Sequence, residues 1–280
     1  MSFGYHHRTR VSARDSQMYL AAAIDFARAA GAVIVPHFRN DPAVENKSTE
    51  GDFDPVTVAD KAAEAIIRAG IASRFPTHGV FGEEFGHHSG AGLTWVVDPI
   101  DGTRAFMTGM LHWGVLIALF DGETPVLGVM YQPFTDELFV GTNDDANYFN
   151  GARERRLRVR PCASVADAVL ASTGPQIFAK GAEQAAFKGL RDRVRLVRYG
   201  GDCYQYCMLA MGYVDVAVEA GLKPYDVQAL MPIIRGAGGI ITTWDGGDAS
   251  MGGRIIAAGD ARVHHQALTI LSNGMAGQLG

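Results

Sequence analysis

Cysteine is scarce in this chain: three residues in 280, at positions 162, 203 and 207. So few, and an odd number, exclude a disulfide framework and fit a reducing compartment. Cationic excess is absent too, with 25 Lys and Arg against 30 Asp and Glu and a net charge of -5, which argues against a general polyanion-binding surface. The one basic stretch, Arg153 to Arg160, is short, so nucleic acid is not expected as a partner. Long apolar runs are also missing. The most apolar helical stretch, Tyr19 to Val35, is interrupted by Asp25 and Arg28 and falls short of a membrane span. Residues 1–15, with His6, His7, Arg8 and Arg10, have no apolar centre of the kind a secretory signal requires and read as a flexible tail. These absences describe a cytoplasmic protein without a membrane partner, and its 48% hydrophobic content is ample for a large core.

What is present is concentrated in Asp98-Pro99-Ile100-Asp101-Gly102-Thr103, after the apolar Trp95-Val96-Val97. Pro99 biases Asp98 towards extended geometry and removes a ladder donor, so the strand is expected to stop at Asp98 and the chain to turn. A tight turn would put the carboxylates of Asp98 and Asp101 on one side with the Ile100 carbonyl as a third oxygen, a set suited to Mg²⁺. Gly102 permits close backbone approach, and a helix opening at Arg104 would turn the amides of Gly102 and Thr103 towards a phosphate. Asp-Pro and Asp-Gly also mark ordinary surface turns, so the rest of the chain must decide.

Helical patterns run from Asp15 to Phe38 and from Val56 to Phe75, with Asp60 in the first turns of the second. Between them, Pro42 to Asp54 is polar and reads as a mobile loop over a site, from which Lys47 could reach a phosphate. Gly79-Val80-Phe81 is a short strand leading into Gly82-Glu83-Glu84, and Gly86 to Gly92 reads as a flexible loop. Strand-like runs at Trp113–Phe120, Val126–Gln132 and Glu137–Thr142 suggest an antiparallel meander. After about Pro161 strands alternate with helices: Val169–Ser172, Lys180–Asp192, Val194–Tyr199, Asp202–Met211, Val214–Glu219, Tyr225–Arg235, Ile240–Trp244, Ile255–Ala258 and Asp260–Leu271. The chain is thus divided into a tail (1–15), an α+β half with the acidic motif (16–160) and an α/β half that completes one compact unit (161–280). Glu219 and Asp226 fall where a strand stops and a helix begins, the usual place for a ligand. Asp202, after Gly200-Gly201, is either a helix N-cap or a site residue. Cys203 and Cys207, at i and i+4, are read as small core residues, and His6-His7, His87-His88 and His264-His265 as solvated histidines.

Gly82-Glu83-Glu84, Trp95 to Thr103, and Leu222-Lys223-Pro224-Tyr225-Asp226-Val227-Gln228-Ala229 resemble the three signature blocks of the inositol monophosphatase-like, metal-dependent phosphatases, in order and rough spacing, from about Gln17 to Leu271. Arg104-Ala105-Phe106-Met107-Thr108-Gly109 and the Lys-Pro-Tyr-Asp form of the last block are most similar to the histidinol-phosphate phosphatase branch; inositol monophosphatases more often carry tryptophan where Tyr225 stands. The resemblance implies an α+β or α/β fold, a layered αβαβα sandwich of the inositol monophosphatase and fructose-1,6-bisphosphatase type, forming a homodimer with two or three Mg²⁺ per site. It implies that Glu83, Asp98 and the Ile100 carbonyl hold one ion, Asp98, Asp101 and Asp226 a second, and Glu83 a weaker third. It further implies that the Thr103 hydroxyl, hydrogen-bonded to Asp60, orients a metal-activated water for direct attack on a phosphate monoester.

For substrate contact the expected residues are Gly102, Thr103, Arg104, Arg198, Asp202 and Glu219, of which Arg104 and Arg198 could instead cross a subunit boundary. Histidinol phosphate carries an ammonium and an imidazole, and Asp202 and Glu219 are placed to supply acids for them. The expected reaction is therefore L-histidinol phosphate plus water to L-histidinol plus phosphate. The alternatives are an inositol-1-monophosphatase or broader sugar-phosphate or phosphonucleotide phosphatase and, in another class, a catalytically silent metal-dependent binding protein.

Overall fold

The protein is described here by a computed structural model covering residues 11–39, 44–46 and 55–277. His6, His7, Lys47 and most of the expected 42–54 loop lie outside the described residues. Helix α1 (Ala13–Ile34) starts inside the stretch expected to be tail, because Ser12 caps it by accepting a hydrogen bond from the Asp15 amide. Strands β1 (Val44–Asn46) and β2 (Pro55–Thr57) form a small antiparallel ladder ahead of α2 (Val58–Arg74).

An eight-stranded sheet follows, built from β3 (Gly79–Gly82), β4 (Gly86–His88), β5 (Thr94–Asp101), β6 (Gly114–Phe120), β7 (Pro125–Gln132), β8 (Glu137–Gly141), β9 (Ala146–Asn150) and β10 (Arg153–Arg156). Its order is β10-β9-β8-β7-β6-β5-β3-β4, antiparallel except for the β3–β5 pair. Short α3 (Thr103–Met107) lies between β5 and β6. The expected meander is present and longer than expected. Gly86–His88 is a strand rather than a flexible loop, and the basic run after Arg153 is an exposed edge strand.

A second, five-stranded mixed sheet has the order β12-β11-β13-β15-β14, from β11 (Val169–Ser172), β12 (Leu196–Tyr199), β13 (Val216–Leu222), β14 (Ile240–Thr243) and β15 (Gly253–Ala258). Its helices are α4 (Ala182–Arg191), α5 (Asp202–Ala210), α6 (Pro224–Val227), α7 (Leu230–Gly236) and α8 (Ala261–Met275). The single helix expected over Tyr225–Arg235 is two, α6 and α7. The break places Pro232 in the first turn of α7, where its missing N–H is not needed.

Strand alternation dictates the layering. On β5 and β6, Trp95, Val97, Val115, Ile117 and Leu119 pack with Ala23, Phe26, Ala27, Ala30 and Ile34 of α1 and Ala63, Ile67 and Ile71 of α2. The intervening Val96, Leu116 and Ala118 pack instead with Cys203, Tyr206 and Cys207 of α5 and Leu230, Ile233 and Ile234 of α7. The same central core takes Ala171, Ala217, Ile255 and Ala257 from the second sheet, whose opposite face (Leu170, Val216, Val218, Ile256) packs on Phe187, Val263 and Ala267 of α4 and α8. The result is an αβαβα sandwich, as the resemblance implied. Arg14–His37 is, by length and composition alone, apolar enough to cross a membrane, contrary to the sequence reading. One face of this helix is nevertheless spent on the core, with Ala23, Ala27, Ala30 and Ile34 completely buried.

Candidate active site

Pro99 does not stop β5. The strand runs on to Asp101, with Asp98 opposite Leu116 and Asp101 opposite Gly114, so three steps on β5 face two on β6. That extra residue is a β-bulge, the one place inside a sheet where a proline without an N–H is tolerated. The bulge re-aims the strand so that Asp98 and Asp101, which strict alternation would place differently, both line one cavity of about 190 Å³ with Glu83, Ile100, Thr103 and Asp226. Gly102 then turns the chain into α3 at φ +85°, and a Cβ there would lie 2.5 Å from the His112 carbonyl oxygen. Glycine is required at this position on both counts.

One carboxylate oxygen from each of Asp98, Asp101 and Asp226 lies within 4.8 Å of the others. Two of the three are oriented by backbone amides that sequence reasoning missed: Cys203 N–H donates to Asp101 Oδ2 and Lys223 N–H to Asp226 Oδ2, both at 2.7 Å. The first could not be read from the motif, since Cys203 is 102 residues from Asp101; the second is local, Asp226 closing a capping box with Lys223 at the start of α6. Glu83 enters from the end of β3, its own N–H donating to Val97 O at 3.2 Å. Asp60 is buried in the first turn of α2, near enough for its charge to act on Asp98. The Thr103 hydroxyl donates to the Ile100 carbonyl at 3.1 Å, where a bond to Asp60 was expected. Having a single hydrogen, it can meet other groups only as an acceptor.

The electrostatics of the cluster are those of acids forced together. Burial first, then the charges of Glu83, Asp101, Asp226 and Asp60, holds Asp98 well above the usual carboxylate range. Burial and then Asp226 and Asp202 do the same for Asp101. Asp226 is pushed up to about 7 by burial, with Glu83 adding and the Lys223 amide opposing. Asp98 Oδ1 is fully buried and accepts no hydrogen bond among the described residues. An all-oxygen donor set, buried at Asp98 and half-buried at Asp101 and Asp226, with strong mutual repulsion and an unsatisfied acceptor, fits a hard divalent cation, which would let the acids ionise together.

A neighbouring cavity of about 180 Å³ shares Asp101, Arg104 and Asp226 and adds Asp202, Tyr206 and Glu219. Asp202 is not an N-cap: Gly201 holds that position and Asp202 opens α5 at φ +40°, with Thr173 Oγ1 donating to its Oδ1 at 3.3 Å. Burial raises its carboxyl to about 6, against the help of Thr173 and Arg104. Glu219 lies within β13 at a register shift, not at the strand end, and its Oε1 accepts from Thr173 N at 2.6 Å and Gln205 Nε2 at 2.5 Å. Burial nonetheless pushes it to about 8, with Asp202 adding. Arg198 is not brought to either cavity. It stands exposed on β12 and lines a third cavity with Tyr199, Tyr204 and Tyr213. A larger cavity, of about 800 Å³ beside Ser16, Asp121 and Asp145, contains none of the expected residues.

Two minor readings are settled alongside. Cys203 and Cys207 are buried free thiols, as expected of core residues, and His87, His88 and His265 are exposed. His264, expected in solvent, is 93% buried with Nε2 3.0 Å from Thr242 Oγ1, because its helical position faces the second sheet.

Residues 15–275 match the model of the inositol monophosphatase family. The bifunctional phosphatase IMPL2, chloroplastic, of Arabidopsis thaliana is 38% identical over 275 residues, spanning 94% of this chain and 78% of its own length. A histidinol-phosphatase of Chlorobaculum parvum is 33% identical over 91% of this chain and 97% of its own. Among solved structures, an inositol monophosphatase from Zymomonas mobilis aligns with a TM-score of 0.82 and 37% identity over 94% of this chain and 100% of its own. With its three signature blocks converging on one acidic cavity and its fold shared throughout, the chain belongs to the inositol monophosphatase family and is a phosphoric monoester hydrolase.

Proposed function

We infer that the protein hydrolyses L-histidinol phosphate to L-histidinol and phosphate, using Mg²⁺. The observation that carries this reading is Asp202, beside Glu219 in the cavity next to the carboxylate cluster, a placement suited to an ammonium on the alcohol side of the scissile ester. Ile177 and Leu222 in the same cavity offer apolar surface to a flat ring. Glu83, Asp98 and the Ile100 carbonyl would hold one ion, Asp98, Asp101 and Asp226 a second, and Glu83 a weaker third. When bound, Mg²⁺ supplies charge neutralisation and Lewis acidity at the phosphate.

The chain's own residues do the rest. Cys203 and Lys223 amides fix the Asp101 and Asp226 carboxylates. The amides of Gly102 and Thr103, at the start of α3, and the Arg104 guanidinium receive phosphate oxygens. Thr103 Oγ1, its hydrogen already given to Ile100, accepts a hydrogen bond from the attacking water, the Asp60 carboxylate takes up the water's proton as the new P–O bond forms, and the departing histidinol oxygen takes a proton from solvent as the ester bond breaks. The enzyme is read as a cytoplasmic homodimer. Three buried free cysteines support a reducing compartment, and the exposed Leu196, Tyr199 and Tyr213 support a second copy covering that face.

A polyol phosphate is the second reading, favoured by Glu219: with a carboxyl raised to about 8 it is largely neutral at pH 7 and can donate to a hydroxyl. Phosphate release from histidinol phosphate and inositol 1-phosphate, each with Mg²⁺ and with chelator, separates the two. A Mg²⁺-dependent preference for histidinol phosphate is expected. Equal or greater turnover of inositol 1-phosphate would transfer the assignment to the second reading, and no turnover of either would remove both.

A further inference from the structure

Glu64 is the one completely buried charged side chain among the described residues, at 0% exposure, and it lies outside the acidic cavities. It sits one turn after Asp60 on the buried face of α2. Its carboxylate does not face a ligand. Instead Oε2 accepts from Glu84 N–H at 2.7 Å, and Oε1 accepts from Phe85 N–H at 3.2 Å and from Arg68 Nε at 2.7 Å. Arg68 completes the arrangement by donating to the Gly86 carbonyl and lying under the Phe85 ring, 5.9 Å from its centroid. Gly82 has no side chain for a related reason: a Cβ there would fall inside the Glu64 carboxylate.

Of the residues held this way, Glu84 and Phe85 lie in the turn between β3 and β4 and Gly86 opens β4, and Glu83 is the first residue of that turn. Its backbone is pinned on one side by the β3–β5 ladder and on the other by the Glu64–Arg68 pair. A charge kept entirely out of water is costly unless hydrogen-bonded and paired, and here every bond it makes goes to this turn or to the arginine that braces it. α2 therefore acts on the acidic cluster twice, through the charge of Asp60 on Asp98 and through the hold of Glu64 on the turn that carries Glu83.

We propose that Glu64, braced by Arg68, is a positioning residue for the metal site: it sets the Glu83 carboxylate in place and thereby the affinity of the cluster for a divalent cation. The inference rests on the metal-dependent reading above. Glu64→Gln is the direct test, since it keeps the volume but turns an NH₂ towards one of the amide donors and removes the charge opposite Arg68. Mg²⁺ binding by calorimetry, read beside the Mg²⁺ concentration for half-maximal phosphatase rate, is expected to weaken about tenfold in this variant, as supporting residues around a metal typically give. Saturating Mg²⁺ should recover most of kcat. So that the test stands even if Glu64→Gln fails to fold, Arg68→Met is measured in parallel and is expected to shift binding in the same direction by a smaller factor. A lowered melting temperature with unchanged Mg²⁺ affinity in whichever variant folds would overturn the proposal and leave Glu64 as a structural brace. Absence of Mg²⁺ binding by the parent protein would instead overturn the metal-dependent reading, and this inference with it.

Discussion

Asp202 holds a backbone conformation that side chains rarely adopt, φ +40°, in the cavity assigned to the alcohol end of the substrate. Such strain costs on the order of 1 kcal/mol or more and persists where something else requires the residue. Asn is easier to place at positive φ and cannot ionise, so Asp202→Asn is expected to raise stability by about 1 kcal/mol in urea titration. It should also cut kcat/KM on histidinol phosphate about tenfold or more, the worth of a charged hydrogen bond, while sparing inositol 1-phosphate. Equal loss on both substrates would remove the ammonium argument. Glu219 carries a pH signature. Its folded carboxyl titrates near 8 against an ordinary 4.5, so below pH 4.5 it is neutral in both states and costs nothing. As pH rises from there to 8 only the unfolded chain releases the proton, and stability falls across that window. Glu219→Gln, whose amide oxygen still accepts from Thr173 and Gln205, should therefore match the parent at pH 4 and exceed it at pH 8 in thermal melts.

Elements carry the next constraint. The bulge at Asp98–Asp101 and the left-handed Gly102 convert a buried strand into a site-bearing turn within five residues. Gly102→Ala would add both positive-φ strain and a clash with the His112 carbonyl, for an expected destabilisation of about 1–3 kcal/mol and loss of most activity. Chemical denaturation with a parallel rate assay checks both, and a stable, active Ala variant would mean that α3 is not held as described. This is also where the sequence was read best and worst. The acids themselves were legible because Asp98, Asp101 and Gly102 are local to one motif and Asp226 to another. Pro99 was read as a stop because a proline removes a ladder bond, but whether a strand ends or bulges depends on the partner strand. Arg198, expected at the phosphate or across a subunit boundary, stands away from both acidic cavities, because which face of β12 meets a cavity is settled by the second sheet. The Cys203 amide and the hold of Glu64 on Glu84 and Phe85 were invisible, being contacts made only once distant segments meet, whereas the Lys223 amide caps Asp226 from three residues away, inside the last block.

At the scale of the molecule, the eight-stranded sheet supplies Glu83, Asp98 and Asp101, while Glu219 comes from the five-stranded sheet and Asp202 and Asp226 from the α5 and α6 helices that follow its strands. The repelling charges therefore straddle the joint between two layers of the sandwich. A cation seated among them acts as a rivet, and its removal leaves like charges prising at the seam. Ion binding at a hundredfold excess over Kd is worth about 2.7 kcal/mol to the folded state. That gain should appear as slower amide hydrogen exchange along β13 and α6 on adding Mg²⁺, with outer helix α4 little changed. Uniform protection, or none, would mean that the layers are held together without help from the ion.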